Sequence, residues 1–177
     1  MNLNRIAISH GLLVGAIQAG LMLVAYLVNT NFLFSGWMSF GTWMLVFMAL
    51  YLGLRGVREA EGGELGFSRA WGHALAIAAS MTAVVTLANM LLYNVIDPNL
   101  VELAIDYTLE RIEEFSNAFG GSAMDLNALT DEIEASARET MTPVGLIKAG
   151  AMSMVFYLIP ALIMAAVMKR APRIETL

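Results

Sequence analysis

Between Ile6 and Leu54 the chain carries no Asp, Glu, Lys or Arg. That run is too long for one membrane span of about 20 residues. It breaks once, at Asn29-Thr30-Asn31 with Ser35-Gly36 just after. The pattern therefore predicts a first span at about 9–28 and a second at about 36–54, joined by a short link into an antiparallel hairpin. Arg5 precedes the first run as it would in a signal peptide, but no small-residue cleavage pattern follows Tyr26-Leu27-Val28. A retained first helix that also targets the chain is the expected reading. A polar stretch with Arg55, Arg58, Glu59, Glu61, Gly62-Gly63, Glu64 and Arg69 comes next, and a third uncharged run at about 70–95 predicts a third span. The fourth is expected at about 143–168, opened by Thr142-Pro143 as cap and first helical residue. It ends on Lys169, Arg170 and Arg173, and Pro160 inside it should bend it.

The segment 98–142 differs in kind. Asp97-Pro98 offers a stop and restart. Ten of the chain's 15 acidic residues follow, from Glu102 to Glu139. Apolar residues recur at helical spacing in two sets: Val101, Ile105, Leu109, Ile112, Phe115 and Phe119, then Leu126, Leu129, Ile133, Ala137 and Met141. Gly120-Gly121-Ser122 separates them. The expectation is a pair of amphipathic helices outside the membrane, not further spans. The fold class expected is all-α: one integral membrane domain, a four-helix bundle with an amphipathic helical pair between its third and fourth helices.

Basic residues sort by side. Arg5, Arg55, Arg58, Arg69, Lys169, Arg170 and Arg173 fall on one face of four spans, and Arg111, Arg138 and Lys148 on the other. The positive-inside rule puts the richer face in the cytoplasm. Both termini would then be cytoplasmic and the acidic pair would face outward, toward the periplasm of a bacterial inner membrane. Arg55, Arg58, Lys169 and Arg170 read as anchors to lipid headgroups.

Small residues four apart mark helix-packing faces: Gly11, Gly15 and Ala19 in the first span, Ala74 and Ala78 in the third. Such stripes let membrane helices approach closely. The alternative is a face for a second copy or a partner. Gln18 and Asn89 are the polar residues expected deep in the bilayer, where interhelical hydrogen bonding is the plainer account and a polar path for a solute the other. His73 and Lys148 lie about one turn into their helices, near an interface.

Composition narrows the chemistry. The chain of 177 residues is 58% hydrophobic and 14% charged, with mean hydropathy +0.67, well away from a soluble domain. A net charge of −5 argues against nucleic acid. No cysteine is present, which removes disulfides, thiolate metal sites and cysteine nucleophiles. His10 and His73 are the two histidines and share no ligand spacing. No nucleophile motif, zinc motif or phosphate loop occurs. Neither catalytic residues nor a cofactor or metal is expected.

The junction between spans two and three, Tyr51-Leu52-Gly53-Leu54-Arg55, then Arg58-Glu59, Gly62-Gly63, Phe67, Arg69-Ala70 and Gly72, follows a recurring pattern. With Asp97-Pro98 after the third span and the basic tail after the fourth, it resembles the domain-of-unknown-function family 4199, small four-span proteins typical of Bacteroidota. The resemblance covers nearly the whole chain. It implies an inner-membrane helical bundle with a charged segment before the last span, and it implies no activity.

Two functions fit these residues. One is a non-enzymatic scaffold or accessory subunit, working through 98–142 on a membrane or periplasmic protein partner. The other is a small oligomeric transporter or channel, motivated by Gln18, Asn89, Thr82 and Thr86 within spans. An enzyme fits less well, because no paired carboxylates or nucleophile–base set accompanies the spans.

Overall fold

The computed structural model describes residues 3–118 and 126–169. Six α-helices follow one another: α1 Leu3–Val28, α2 Gly36–Ala60, α3 Phe67–Leu91, α4 Leu100–Ala118, α5 Leu126–Met141 and α6 Pro143–Met168. A 3-10 turn, Thr30–Phe34, joins α1 to α2, and a π-turn, Leu92–Ile96, extends α3. The architecture is an all-α membrane helical bundle. Four helices are long and apolar enough to cross a membrane: Leu3–Val28, Gly36–Ala60, Phe67–Ile96 and Pro143–Met168. Only 22–39% of each span's apolar window is buried inside the protein. The remaining apolar surface needs lipid around it, and the chain is a multi-pass membrane protein.

The helices outrun the limits expected from hydropathy. α1 begins at Leu3 rather than Ser9, α2 ends at Ala60 rather than Leu54, and α3 begins at Phe67 rather than Ala70. Hydropathy marks where lipid ends, whereas backbone hydrogen bonding needs no lipid and continues past it. Arg5, Arg55 and Arg58 thus sit on helical turns, from which their long stems can reach the headgroups.

Local chemistry fixes the ends. Ser35 caps α2, its Oγ accepting from the Met38 N–H at 3.3 Å and donating to the Phe32 carbonyl at 2.7 Å. The far end of α2 closes through two glycines in the left-handed region, Gly62 at φ 76° and Gly63 at φ 97°. The Gly63 N–H bonds the Arg58 carbonyl at 2.9 Å and the Gly62 N–H bonds the Glu59 carbonyl at 3.2 Å. That is a Schellman closure, which a side chain with a Cβ would strain. Thr142 caps α6 as expected, its Oγ1 accepting from the Gly145 N–H at 3.0 Å. Asp97 folds a turn ahead of α4, its Oδ1 accepting from the Asn99 N–H at 3.1 Å. The helix itself therefore starts two residues after Pro98. α6 continues through the buried Pro160, which has no N–H to return to Phe156.

The described helices divide into two compact units. One holds α1, α2, α3 as far as Val85 and α6 from Gly150; the other holds the chain from Thr86 to Ala149. The core of the first joins Val14, Val46, Leu50, Leu54, Val57, Leu65, Ile77, Ala161 and Ala165. Trp43 of α2 meets Tyr157 of α6 edge-on, ring centres 5.9 Å apart. In the second unit Leu92, Leu100, Ala104, Ile105 and Leu146 are buried, and α4 pairs with α5.

Candidate functional site

α1 brings its small residues to α3. Gly11 and Gly15 are buried, as are Ala74 and Ala78, while Ala19 is half-buried. A methyl group on Gly11 would collide with the Ile77 carbonyl oxygen and Ser80 Oγ. One on Gly15 would stand 3.0 Å from the Met81 carbonyl oxygen and from Val84 Cβ. On α2, Gly53 leaves room for Ile77 Cδ1, and Gly56 faces the His10 ring. His10 itself is turned back on its helix, Nδ1–H donating to the Ile6 carbonyl at 2.9 Å. Gly145 serves a different purpose: its Cβ position is occupied by the last carbonyls of α5, those of Glu139 and Thr140. Glycine there allows a one-residue link between α5 and α6.

Gln18 and Asn89 part company. Gln18 is 8% exposed, and its Nε2 donates to Thr42 Oγ1 across the α1–α2 seam at 3.3 Å. Its Oε1 is buried with no partner among the described residues. Asn89 is half-buried, and no side-chain hydrogen bond holds it among the described residues. Asn94, one turn on, donates instead to the Met141 carbonyl at 3.1 Å and so closes the end of α5. Thr82 Oγ1 lies 3.5 Å from Met154 Sδ, a contact between α3 and α6. His73 is 8% exposed. Among the described residues no three His, Asp or Glu side chains cluster as metal ligands would.

The acidic segment is a helical hairpin held by one arginine. Arg138 of α5 makes a two-pronged ion pair with Glu102 of α4, NH1 on Oε1 and NH2 on Oε2, the latter at 2.8 Å. NH2 also reaches Glu134 Oε1 at 2.6 Å. Hydrogen bonds to Glu102 and then Glu134 hold the guanidinium pKa above the ordinary arginine value. Ile105 is buried, and Leu109, Ile112, Ile133, Ala137 and Met141 are half-buried, so the two apolar faces largely cover each other. Phe115 stays 66% exposed. Phe119 and Gly120-Gly121-Ser122 lie outside the described residues, as do the side chains of Leu126 and Leu129. Asp106, Glu110, Glu113, Glu114, Asp131 and Glu132 are all exposed. A cationic contact sits among them: Arg111 stands over the Tyr107 ring at 5.9 Å.

Of the expected headgroup anchors, Arg55 pairs with Glu59 at 2.8 Å along one helix face. Arg58 is half-buried and Lys169 exposed; Arg170 lies outside the described residues. The polar junction after α2 was legible in the sequence, but not its ion pair: Arg69 NH1 bonds Glu61 Oε1 at 3.0 Å, and Glu61 Oε2 is buried without a partner among the described residues. Sequence reasoning also missed a crevice of about 540 Å³ between α1 and α2, lined by Leu21, Ala25, Val28, Phe32, Trp37 and Gly41 among others. Neither has a signature in spacing, because both depend on which helices meet.

A family model described as "Protein of unknown function (DUF4199)" matches residues 9–170. No curated protein and no solved structure matches the chain.

Proposed function

The chain belongs to the DUF4199 family of unknown function, and from that premise we propose that it is a non-enzymatic accessory or scaffold subunit of a complex in the bacterial inner membrane. Both termini face the cytoplasm in this reading, by the excess of Arg and Lys on that side. The α4–α5 hairpin faces the periplasm and offers its carboxylates to a basic surface of a partner protein.

One observation carries the reading. The described apolar residues of the hairpin largely cover each other and Arg138 clasps it, while six carboxylates on α4 and α5 point outward. A helix pair folded this way turns most of its described apolar residues inward, Phe115 excepted, and its acidic surface is repelled by anionic lipid. Its strongest means of recognition is charge, which steers association and fixes register more than it adds affinity. The test is crosslinking in native membranes followed by purification and mass spectrometry, with Glu110, Glu113 and Glu114 changed together to Gln. The wild-type chain should retain a partner that the triple variant and high salt both release. Recovery of the wild-type chain alone would end the proposal.

A second reading, a small oligomeric transporter or channel, draws on Gln18. A buried acceptor without a donor inside a span is costly unless something polar visits it. Solute flux in liposomes that is indifferent to both Gln18→Leu and Asn89→Leu would remove this support.

A further inference from the structure

The crevice between α1 and α2 lies at the end of their hairpin that the 3-10 turn Thr30–Phe34 closes. Leu21, Val24 and Val28 of α1 form one wall, and Trp37, Met38 and Gly41 of α2 the other. Gln18 and Thr42 come next along the same seam. Gln18 precedes Leu21 by about one helical turn, and Thr42 directly follows Gly41. Gln18 is only 8% exposed. Its Nε2 is engaged by Thr42 Oγ1 at 3.3 Å, and its Oε1 meets no donor among the described residues. A carbonyl oxygen buried without a donor is costly.

The walls restrict what can answer that oxygen. Asn29 and the Trp37 indole supply the polar nitrogen and oxygen atoms of the lining side chains, and Asn29 Oδ1 already accepts from the Asn31 N–H at 3.1 Å. Between Ile6 and Leu54 there is no Asp, Glu, Lys or Arg, so a charged head would find no counter-ion at that depth. A bare alkyl chain would fill the walls and leave Oε1 unanswered. A neutral molecule with an apolar body and a hydroxyl at one end satisfies both demands. There is room for it: α1 rises roughly 15 Å from Gln18 to Val28. The crevice volume of about 540 Å³ falls among those of small-ligand sites.

We propose that this crevice binds a lipid-soluble alcohol, hydroxyl first, its O–H donating to Gln18 Oε1 and its apolar body lying between Val24 and Trp37. A resident ligand of this kind answers Gln18 without a path across the membrane. It also owes nothing to the α4–α5 hairpin.

Trp37 in the wall is the reporter. Trp43→Phe and Trp71→Phe leave it as the sole tryptophan of the full chain, which is reconstituted into phosphatidylcholine nanodiscs. The probes are a chain-brominated dodecanol, which quenches tryptophan at contact, and its methyl ether, which keeps the body but has no O–H to donate. Saturable quenching by the alcohol is expected at about tenfold lower concentration than by the ether, the worth of one hydrogen bond to a buried acceptor. Gln18→Leu should bring the alcohol to the level of the ether and leave the ether unchanged, so ether binding shows that the crevice is intact in that variant. Gly41→Leu, which has open space for its Cβ and fills the crevice, should abolish saturable quenching by both. Equal affinity for alcohol and ether in the parent chain overturns the proposal and leaves Oε1 to a water molecule or to nothing. Quenching that only rises linearly with probe, or that survives Gly41→Leu, also overturns it and assigns the crevice to ordinary bilayer lipid.

Discussion

Replacing Gly11 by alanine adds one methyl group at the closest approach of α1 to α3. Its position falls on the Ile77 carbonyl oxygen and on Ser80 Oγ. Ser80 could swing away at the cost of its bonds to the Ala76 and Ile77 carbonyls, 2.8 and 3.0 Å. The Ile77 carbonyl belongs to the helix backbone and cannot. α1 must therefore retreat by about 1 Å to restore an ordinary contact, and a gap of that size forfeits a quarter to a half of the dispersion energy along the seam. Overpacking of this kind costs roughly 1–3 kcal/mol. A loss of about 2 kcal/mol is on the order of 30-fold in the folded-to-unfolded ratio. Gly20→Ala is the matched control, because nothing lies within 4 Å of its Cβ position. The assay is reversible unfolding in mixed micelles, followed by tryptophan fluorescence, on both variants and the parent. Gly20→Ala should match the parent or slightly exceed it. If Gly11→Ala unfolds within about 0.5 kcal/mol of Gly20→Ala, the close α1–α3 approach is not what holds these helices together.

Further outcomes follow from single contacts. Gln18→Leu should change stability by less than about 1 kcal/mol in the same unfolding assay, because the bond to Thr42 contributes roughly 0.6 kcal/mol and the substitution also removes an unpaired acceptor. A larger loss would mean that Oε1 has a partner in the membrane. Gly62→Ala forces a Cβ into φ 76° and should destabilise by about 1–2 kcal/mol, visible as a lower melting temperature. Arg138→Gln should speed amide exchange through α5 while leaving α1 and α2 protected; equal exchange throughout would refute the clasp. The Arg138 pKa is raised in the folded chain, by its bonds to Glu102 and Glu134, so its contribution is complete below the ordinary arginine pKa and fades only as pH rises beyond it. Titration of Arg138 itself should therefore add no pH dependence to α5 exchange across the neutral range, once intrinsic exchange rates are corrected. Topology reporters at Gly121 and after Leu177 should report opposite sides of the membrane; the same side would remove the four-span alternation.

Much of the fold was legible because lipid enforces a simple rule. Every backbone group in the hydrocarbon must bond within its own helix, so uncharged runs from Ile6 to Leu54 and around 70–95 and 143–168 could only be helices. The caps were legible for a similar reason, since Thr142-Pro143 needs no distant partner to work. Ends of helices were less so, because α2 carries Arg55 and Arg58 on turns that hydropathy excludes. The sequence alone thus settled which segments are helical, which can span, and that 98–142 is amphipathic and acidic. Tertiary structure alone decided the pairings: Gln18 with Thr42, Arg138 forked onto Glu102, Asn94 on the Met141 carbonyl, Gly11 against Ile77, and Glu61 on Arg69. Helical periodicity assigns a residue to a face of its own helix. Which face of which neighbour it meets depends on axial offset and rotation between helices, and these are set by the packing of all the side chains at once.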